Sequence, residues 1–261
     1  MNEKPRKRPL ILVTNDDGIH APGILALVQA MKQLGEVAVV APDSERSAAG
    51  HAITISDPLR VWEYERNGDF FGYSVNGTPA DCVKIGVKAI LNTTPDLVAS
   101  GINQGPNTAI NVMYSGTVSA ATEGTLMGIP SIAFSLASFR KSEFTFAAEF
   151  AQYLGKLVLQ RGLPEGTLLN VNIPALDKSE IKGVKITRQG RGRYEEIFDK
   201  RIDPWNRNYY WLSGKKLLLD NEPDIDDVAV MDNYIAITPI QFDLTDYKMM
   251  DDLKNWEIQL P

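Results

Sequence analysis

Four consecutive apolar residues, Leu10-Ile11-Leu12-Val13, give way to the polar tetrapeptide Asn15-Asp16-Asp17-Gly18. A short run that is apolar at every position and partly β-branched suits a parallel strand buried on both faces, and such a strand needs helices on both sides of its sheet. The next residues supply the first. Pro22 opens a helix, Ile24, Leu27, Val28, Met31 and Leu34 recur at helical spacing, and Gly35 stops it. Val37-Ala38-Val39-Val40 then reads as a second strand ending at Pro42, which completes a βαβ unit.

The alternation continues. Thr78-Pro79-Ala80-Asp81 offers an N-cap, a first-turn proline and a first-turn acid, predicting a helix over 79–90. Asp96 to Ser100 reads as a strand ending at Gly101-Ile102-Asn103, Thr117 to Met127 as a helix, and Ile129 to Phe134 as the next apolar segment. Phe144, Ala147, Phe150, Ala151, Leu154, Leu157 and Val158 mark a further helix closed by Gly162, before a strand at Leu168-Leu169-Asn170-Val171. The fold class is therefore α/β: a Rossmann-like, doubly wound, mostly parallel sheet over residues 1–180. Residues 181–261 are expected to form a smaller β-rich extension with oligomerisation arms. In it, strands at Val184 to Thr187 and Tyr209 to Leu212 are separated by charged, glycine-containing loops, and a strand near Tyr234 to Ile237, with a helix, returns to the core.

Composition narrows the chemistry. The chain is 44% hydrophobic and 23% charged, as a globular protein is, and its net charge of −6 offers no overall basic field for a nucleic-acid partner. Two histidines and one cysteine cannot make a three-histidine zinc site, a four-cysteine cluster or an intrachain disulfide, so the plausible metal ligands are oxygens. No stretch approaches the roughly 18 apolar residues of a membrane span. Lys4-Pro5-Arg6-Lys7-Arg8 is basic like a signal peptide, but the apolar run behind it is too short for one and reads better as following a solvated terminus. With the lone Cys82, the expected location is cytoplasmic.

Ligands of an open parallel sheet bind outside the carboxyl ends of its strands. Three such ends are polar here: Asn15-Asp16-Asp17-Gly18, the loop carrying Ser47, and Gly101-Ile102-Asn103. Two carboxylates, a hydroxyl and an amide oxygen are hard donors suited to Mg2+ or Mn2+. Taken singly, the acidic pair is equally an acidic turn, Ser47 a loop hydroxyl and Asn103 a turn residue; only their convergence points to a site. Ser115-Gly116-Thr117, ahead of a helix, is either an ordinary N-cap or an anion site. A divalent metal beside such a helix start suggests phosphate-ester chemistry. G-x-x-x-x-G-K-[ST], G-x-G-x-x-G and G-x-S-x-G are all absent from the sequence. Asp16 and Asp17 are adjacent rather than spaced as the strand-end D-x-D of haloacid dehalogenase-like phosphatases, which favours a metal-activated water as nucleophile. His20 and His51, in polar loops, are more simply solvated or structural, and Cys82 more simply buried.

Five ordered blocks resemble the survival protein E (SurE) family of metal-dependent nucleotidases. They are Leu12 to Ile19, Ala41-Pro42-Asp43 with Glu45 to Ala48, Gly77 to Val83, Ser100 to Asn103, and Tyr114 to Val118. The resemblance implies one divalent ion per subunit, Mg2+ or Mn2+, held by Asp16, Asp17, Ser47 and Asn103. It also implies hydrolysis of nucleoside 5′- and 3′-monophosphates with phosphate near Ser115, Gly116 and Thr117, and later segments that swap between subunits of a homodimer or homotetramer. Ala109, Asn206 and Asn233 stand where the family usually carries glycine, and Ala236 where it carries serine. The expected activity is thus a phosphomonoesterase with Asp16 and Asp17 catalytic, Asp16 the first choice for orienting or deprotonating the water, and Asn15 joining Ser115, Gly116 and Thr117 at the phosphate. An exopolyphosphatase or broad acid phosphatase on the same site, and a non-catalytic metal-dependent nucleotide sensor, are the alternatives.

Overall fold

The computed structural model describes residues 8–140 and 143–260. Residues 4–7 of the basic N-terminal run lie outside the described residues; Arg8 donates from Nη2 to the Lys32 carbonyl (3.1 Å). The elements run β1 (Leu10–Thr14), α1 (Pro22–Lys32), β2 (Glu36–Pro42), β3 (Val61–Arg66), β4 (Asp69–Val75), α2 (Pro79–Ile85), β5 (Leu97–Gln104), α3 (Gly116–Leu126), β6 (Ser131–Ala137), α4 (Thr145–Arg161) and β7 (Thr167–Pro174). They continue with β8 (Gly183–Ile186), β9 (Arg193–Ile202), β10 (Asn208–Leu217), α5 (Asp226–Met231), β11 (Tyr234–Gln241) and α6 (Tyr247–Lys254).

Nine strands form one sheet in the order β3-β4-β2-β1-β5-β6-β7-β11-β8, while β9 and β10 pair as a separate antiparallel hairpin. From β4 to β7 every pairing is parallel; β3 and β11 run antiparallel to their neighbours β4 and β7. β1 is buried throughout, as its composition requires. Ile11 and Val13 face a core built with Leu27 and Met31 of α1 and Ala151 and Leu154 of α4. Leu12 faces the opposite layer with Cys82 and Val83 of α2 and Ala120 of α3. Two helix layers thus sandwich the sheet, the arrangement that a buried parallel strand demands.

Three local expectations change. The helix expected over 79–90 is α-helical only to Ile85 and finishes as a wider turn over Gly86–Ile90. Asn103 lies within β5, whose pairing with β6 shifts register between Ser100 and Asn103 instead of ending there. The segment expected as a charged loop before Tyr209 is strand β9, exposed at every residue, so no buried face marks its period. The β3–β4 hairpin adds to the expected elements, and the C-terminal extension contains two helices, α5 and α6. No helix among the described residues is long and apolar enough to cross a membrane.

Helix α2 starts in a capping box. The Thr78 hydroxyl accepts from Asp81 N (3.1 Å) while Asp81 Oδ2 accepts from Thr78 N (2.9 Å), and the same carboxylate takes the Thr54 backbone N–H (3.0 Å) and hydroxyl (2.6 Å). Burial alone would raise the Asp81 pKa, but these donors outweigh it and hold the carboxyl below its ordinary value. Asp81→Ala removes the cap and frees residue 54; it is expected to lower stability by about 2 kcal/mol, read from denaturant midpoints at unchanged slope.

Candidate functional site

The strand order turns at β1: the chain passes from β1 to β2 on one side, and β5 lies on the other. The carboxyl ends of β1 and β5 therefore open into the crevice where such folds bind ligands. Asp16, Ser47, Asn103 and Ser115 line one cavity there, of about 570 Å3. Asp17 does not line it; its Oδ2 accepts weakly from the Gln104 backbone N–H (3.4 Å) behind it.

Asp16 is 4% exposed and is held by the start of α3. The Thr117 hydroxyl donates to Asp16 Oδ1, and the Thr117 backbone N–H also favours the charged carboxylate. Burial prevails over these donors, so the Asp16 pKa is raised. Burial, and then the neighbouring Asp16 charge, raise Asp17 from 3.8 to about 7. Two adjacent, partly desolvated carboxylates are an electrostatic conflict that a cation relieves.

The donor set fits a hard divalent ion. Ser47 Oγ donates to Glu45 Oε1 (2.7 Å), which leaves its lone pairs free, and Asn103 Nδ2 donates to the Gly105 carbonyl (2.7 Å), which leaves its amide oxygen as the open end. A Cβ at Gly116 would lie 3.1 Å from Asp16 Oδ2 and 2.8 Å from Asp16 Cβ, so the glycine keeps that oxygen accessible. Among the described residues no group of three or more His, Cys, Asp and Glu is placed for a metal.

Ser115 is the N-cap of α3, its hydroxyl oxygen accepting from Val118 N (3.1 Å), which leaves the hydroxyl proton free to donate. The Thr117 hydroxyl is occupied by Asp16. Asn15 is buried and donates to the Gly18 carbonyl (2.9 Å), and its Oδ1 has no hydrogen-bond partner. His20 meets the Tyr64 hydroxyl (3.0 Å). His51 sits 3.0 Å from Glu123 Oε2 on α3 and so fastens the Ser47 loop, and Cys82 is buried, its thiol pKa pushed up by burial.

The cavity also takes in residues to which the sequence assigns no site role: Gln104 at the end of β5, Asn107 beyond it, Phe139, and Tyr194 and Glu196 of the β9–β10 hairpin. Tyr194 and Glu196 alternate at period two, but in a segment so rich in charge that the pattern resembles a loop.

Fold and site together define an α/β protein with a carboxylate-centred oxygen site at the turning point of a parallel sheet. The chain belongs to the SurE family: the family model described as "Survival protein SurE" matches residues 11–196. It is 49% identical over 259 residues to a Chlorobaculum tepidum protein named 5′-nucleotidase SurE, covering 99% of this chain and 98% of that protein. A Syntrophobacter fumaroxidans protein of the same name is 51% identical over 248 residues, covering 95% and 99%. The crystal structure of the SurE protein from Aquifex aeolicus superposes with a TM-score of 0.83 at 46% identity, covering 96% of this chain and all of that one.

The carboxylate conflict has a stability consequence. Between about pH 4 and 7 folded Asp17 keeps a proton that the unfolded chain has lost, so metal-stripped protein loses stability as pH rises through 7. Metal-stripped Asp17→Asn is expected to be more stable than the stripped native chain at pH 8 by on the order of 1–3 kcal/mol, allowing for partial solvent screening. The gap should close towards pH 4. Chemical denaturation across pH checks this, and a variant no more stable at pH 8 would sink it.

Proposed function

We propose that this chain is a divalent-metal-dependent phosphomonoesterase that releases phosphate from nucleoside 5′- and 3′-monophosphates. The observation that carries the reading is the buried Asp16, gripped on Oδ1 by the first turn of α3 and open on Oδ2, in one cavity with Ser47 and Asn103. The relatives' printed name, 5′-nucleotidase SurE, at 49% and 51% identity over nearly the whole chain, supports the substrate class.

Asp16, Asp17, Ser47 and Asn103 would hold the ion, Mg2+ or Mn2+. When bound, the ion supplies Lewis-acid polarisation of the phosphoryl group and a lowered pKa for water. The water oxygen bonds to phosphorus as the phosphorus–oxygen bond to the nucleoside breaks. Asp16 Oδ2, left open by Gly116, takes the water proton, and that proton returns through solvent water to the departing alkoxide, which leaves as the nucleoside hydroxyl. The Ser115 hydroxyl and the Gly116 backbone N–H, at the positive end of α3, stabilise charge on the phosphoryl oxygens. Self-association is part of the proposal. The hairpin exposes Trp205, Tyr210, Trp211 and Leu212, and α6 exposes Tyr247, Met249 and Leu253. These surfaces suit a homodimer or homotetramer, for which light scattering on the eluting protein should return two or four chain masses.

The decisive assay is phosphate release from nucleoside 5′- and 3′-monophosphates, polyphosphate and p-nitrophenyl phosphate, metal-stripped and with Mg2+ or Mn2+. Nucleotide turnover should require the metal and fall at least about 100-fold in Asp17→Asn. Gly116→Ala should lose turnover well before it loses its unfolding midpoint. Release from polyphosphate alone, or tight nucleotide binding without turnover, would replace this reading with an exopolyphosphatase or a sensor.

A further inference from the structure

The segment that joins β5 to α3, residues 105–115, brings Asn107, Asn111, Tyr114 and Ser115 to the cavity, yet its middle is held by residues that do not line it. Thr108 and Ala109 are both buried, and each meets one of two successive acids of α5. The Ala109 N–H donates to Asp226 Oδ2 (2.8 Å). The Thr108 hydroxyl accepts from Lys216 Nζ (3.1 Å), which also donates to Asp227 Oδ1. The other oxygen of Asp226, Oδ1, takes the N–H groups of Gly190 (2.9 Å) and Asp227 (2.8 Å). The chain entering β9 passes close over the pair: a Cβ at Gly192 would lie 2.7 Å from Asp227 Oδ2, and one at Gly190 3.0 Å from Asp226 Oδ1.

Ala109 needs such a hold. Its φ is +51°, a conformation that disfavours alanine because the Cβ crowds the backbone. A tight helical turn starts at Ala109 and runs to Met113, and the Tyr114 N–H closes it on the Asn111 carbonyl (3.1 Å). The Tyr114 carbonyl in turn accepts the N–H of Gly50 (3.0 Å), from the loop that carries Ser47, and the next residue in the chain is Ser115. The left-handed residue thus sets the direction in which the chain enters the turn, and the exit of the turn carries both Ser115 and an anchor of the Ser47 loop.

We propose that Asp226 is a positioning residue for the site: by holding Ala109 in the left-handed conformation it fixes the turn that delivers Ser115 and steadies the Ser47 loop. The effect on turnover rests on the phosphomonoesterase reading; the hold on the turn does not. Asp226→Asn isolates the contact. Its amide oxygen keeps the side that receives two N–H groups, which leaves Nδ2 facing the Ala109 N–H, donor against donor. Burial raises the Asp226 pKa, so a neutral amide of the same shape also removes a charge that the interior disfavours, and the fold is retained. Ala109→Gly is the complement, because glycine takes the left-handed conformation without the crowding of a Cβ and needs no clasp. Alanine at position 109 is what makes this chain depend on Asp226.

The test compares the native chain, Asp226→Asn, Ala109→Gly and the double variant in two measurements: kcat and KM for a nucleoside 5′-monophosphate with Mn2+, and amide hydrogen exchange read by mass spectrometry over residues 109–114 and 48–52. Asp226→Asn should lower kcat by about 10-fold or more while KM moves far less, and should speed exchange in both peptides but not in α4. Glycine at position 109 should restore most of the lost kcat and the slow exchange in the double variant, a rescue that a merely structural role of Asp226 would not show. In the native background Ala109→Gly should leave kcat unchanged and slow exchange over 109–114 by roughly 5-fold, an arm that stands even where Asp226→Asn fails to fold. Absence of that slowing, native-like exchange in Asp226→Asn, or no rescue by glycine would each overturn the proposal. If the native protein hydrolyses no phosphate ester while the glycine-reversible loosening is seen, the positioning role stands and the phosphomonoesterase reading falls. If turnover is normal and the loosening is not seen, the positioning role falls alone.

Discussion

Two neighbouring carboxylates at the end of a fully buried strand are the constraint around which this molecule is arranged. Asp16 is nearly buried, and Asp17 feels both its own burial and the Asp16 charge. The fold answers from its own backbone before any cation is considered. The start of α3 brings the Thr117 hydroxyl and the positive end of a helix onto Asp16, and that approach is possible only because the first residue of α3 has no side chain. Gly18 makes the matching concession on the other side. It adopts φ +92°, and a side chain there would press on the Ser44 backbone at 3.1 Å.

The loop carrying Ser47 shows how an exposed donor can still be well placed. Arg46 donates its backbone N–H to the Asp16 carbonyl (2.7 Å), Gly50 donates to the Tyr114 carbonyl (3.0 Å), and His51 meets Glu123 on α3. Glu123 is also reached by Lys84 of α2 (2.6 Å), and these partners overcome the effect of burial to keep its pKa below the ordinary value. Ser47 is thus flanked by anchors to β1 and to the helix that grips Asp16. Beyond β5 the supports are side-chain amides: Asn107 takes its backbone N–H to Asn172 Oδ1 (2.8 Å) and its carbonyl receives Asn170 Nδ2 (2.7 Å), both from β7.

What could be read from the residues follows from where each segment buries its side chains. Leu10 to Val13, the α1 stripe and Val37 to Val40 face a core on at least one side, so period and polarity encode them directly. That Asp16, Ser47 and Asn103 share one cavity was legible because the crevice of such a sheet lies outside its strand ends, a rule of topology that needs no contacts. The hairpin strand β9 was not, because it is exposed at every position and its alternating Tyr194, Glu196 and Phe198 have no core to face. The role of Thr117 was hidden for another reason. Its hydroxyl meets a carboxylate 101 residues earlier in the chain, a pairing that no local spacing announces.

Three of the four departures from the family pattern are explained by backbone conformation; nothing in the structure explains Ala236. Ala109, Asn206 and Asn233 all adopt the left-handed region, at φ +51°, +63° and +67°, which is the conformation a glycine at each position would take freely. Asparagine tolerates it because its short amide can bond locally, but alanine carries a cost of roughly 1–2 kcal/mol. The surroundings of Ala109 hold that cost in place. Its N–H donates to Asp226 Oδ2 (2.8 Å), its carbonyl accepts from Gln189 Nε2 (2.8 Å), and Asp226 also binds the Gly190 N–H (2.9 Å). Burial raises the Asp226 pKa against three backbone donors that lower it, so this carboxylate too bears a strain of position. The segment between Asn103 and Ser115 is therefore fixed by the same extension that supplies the hairpin. Through Ala109 and its neighbour Ile110, whose N–H donates to the Gly192 carbonyl (3.3 Å), the loop beyond Asn103 is tied to α5 and to the base of β9.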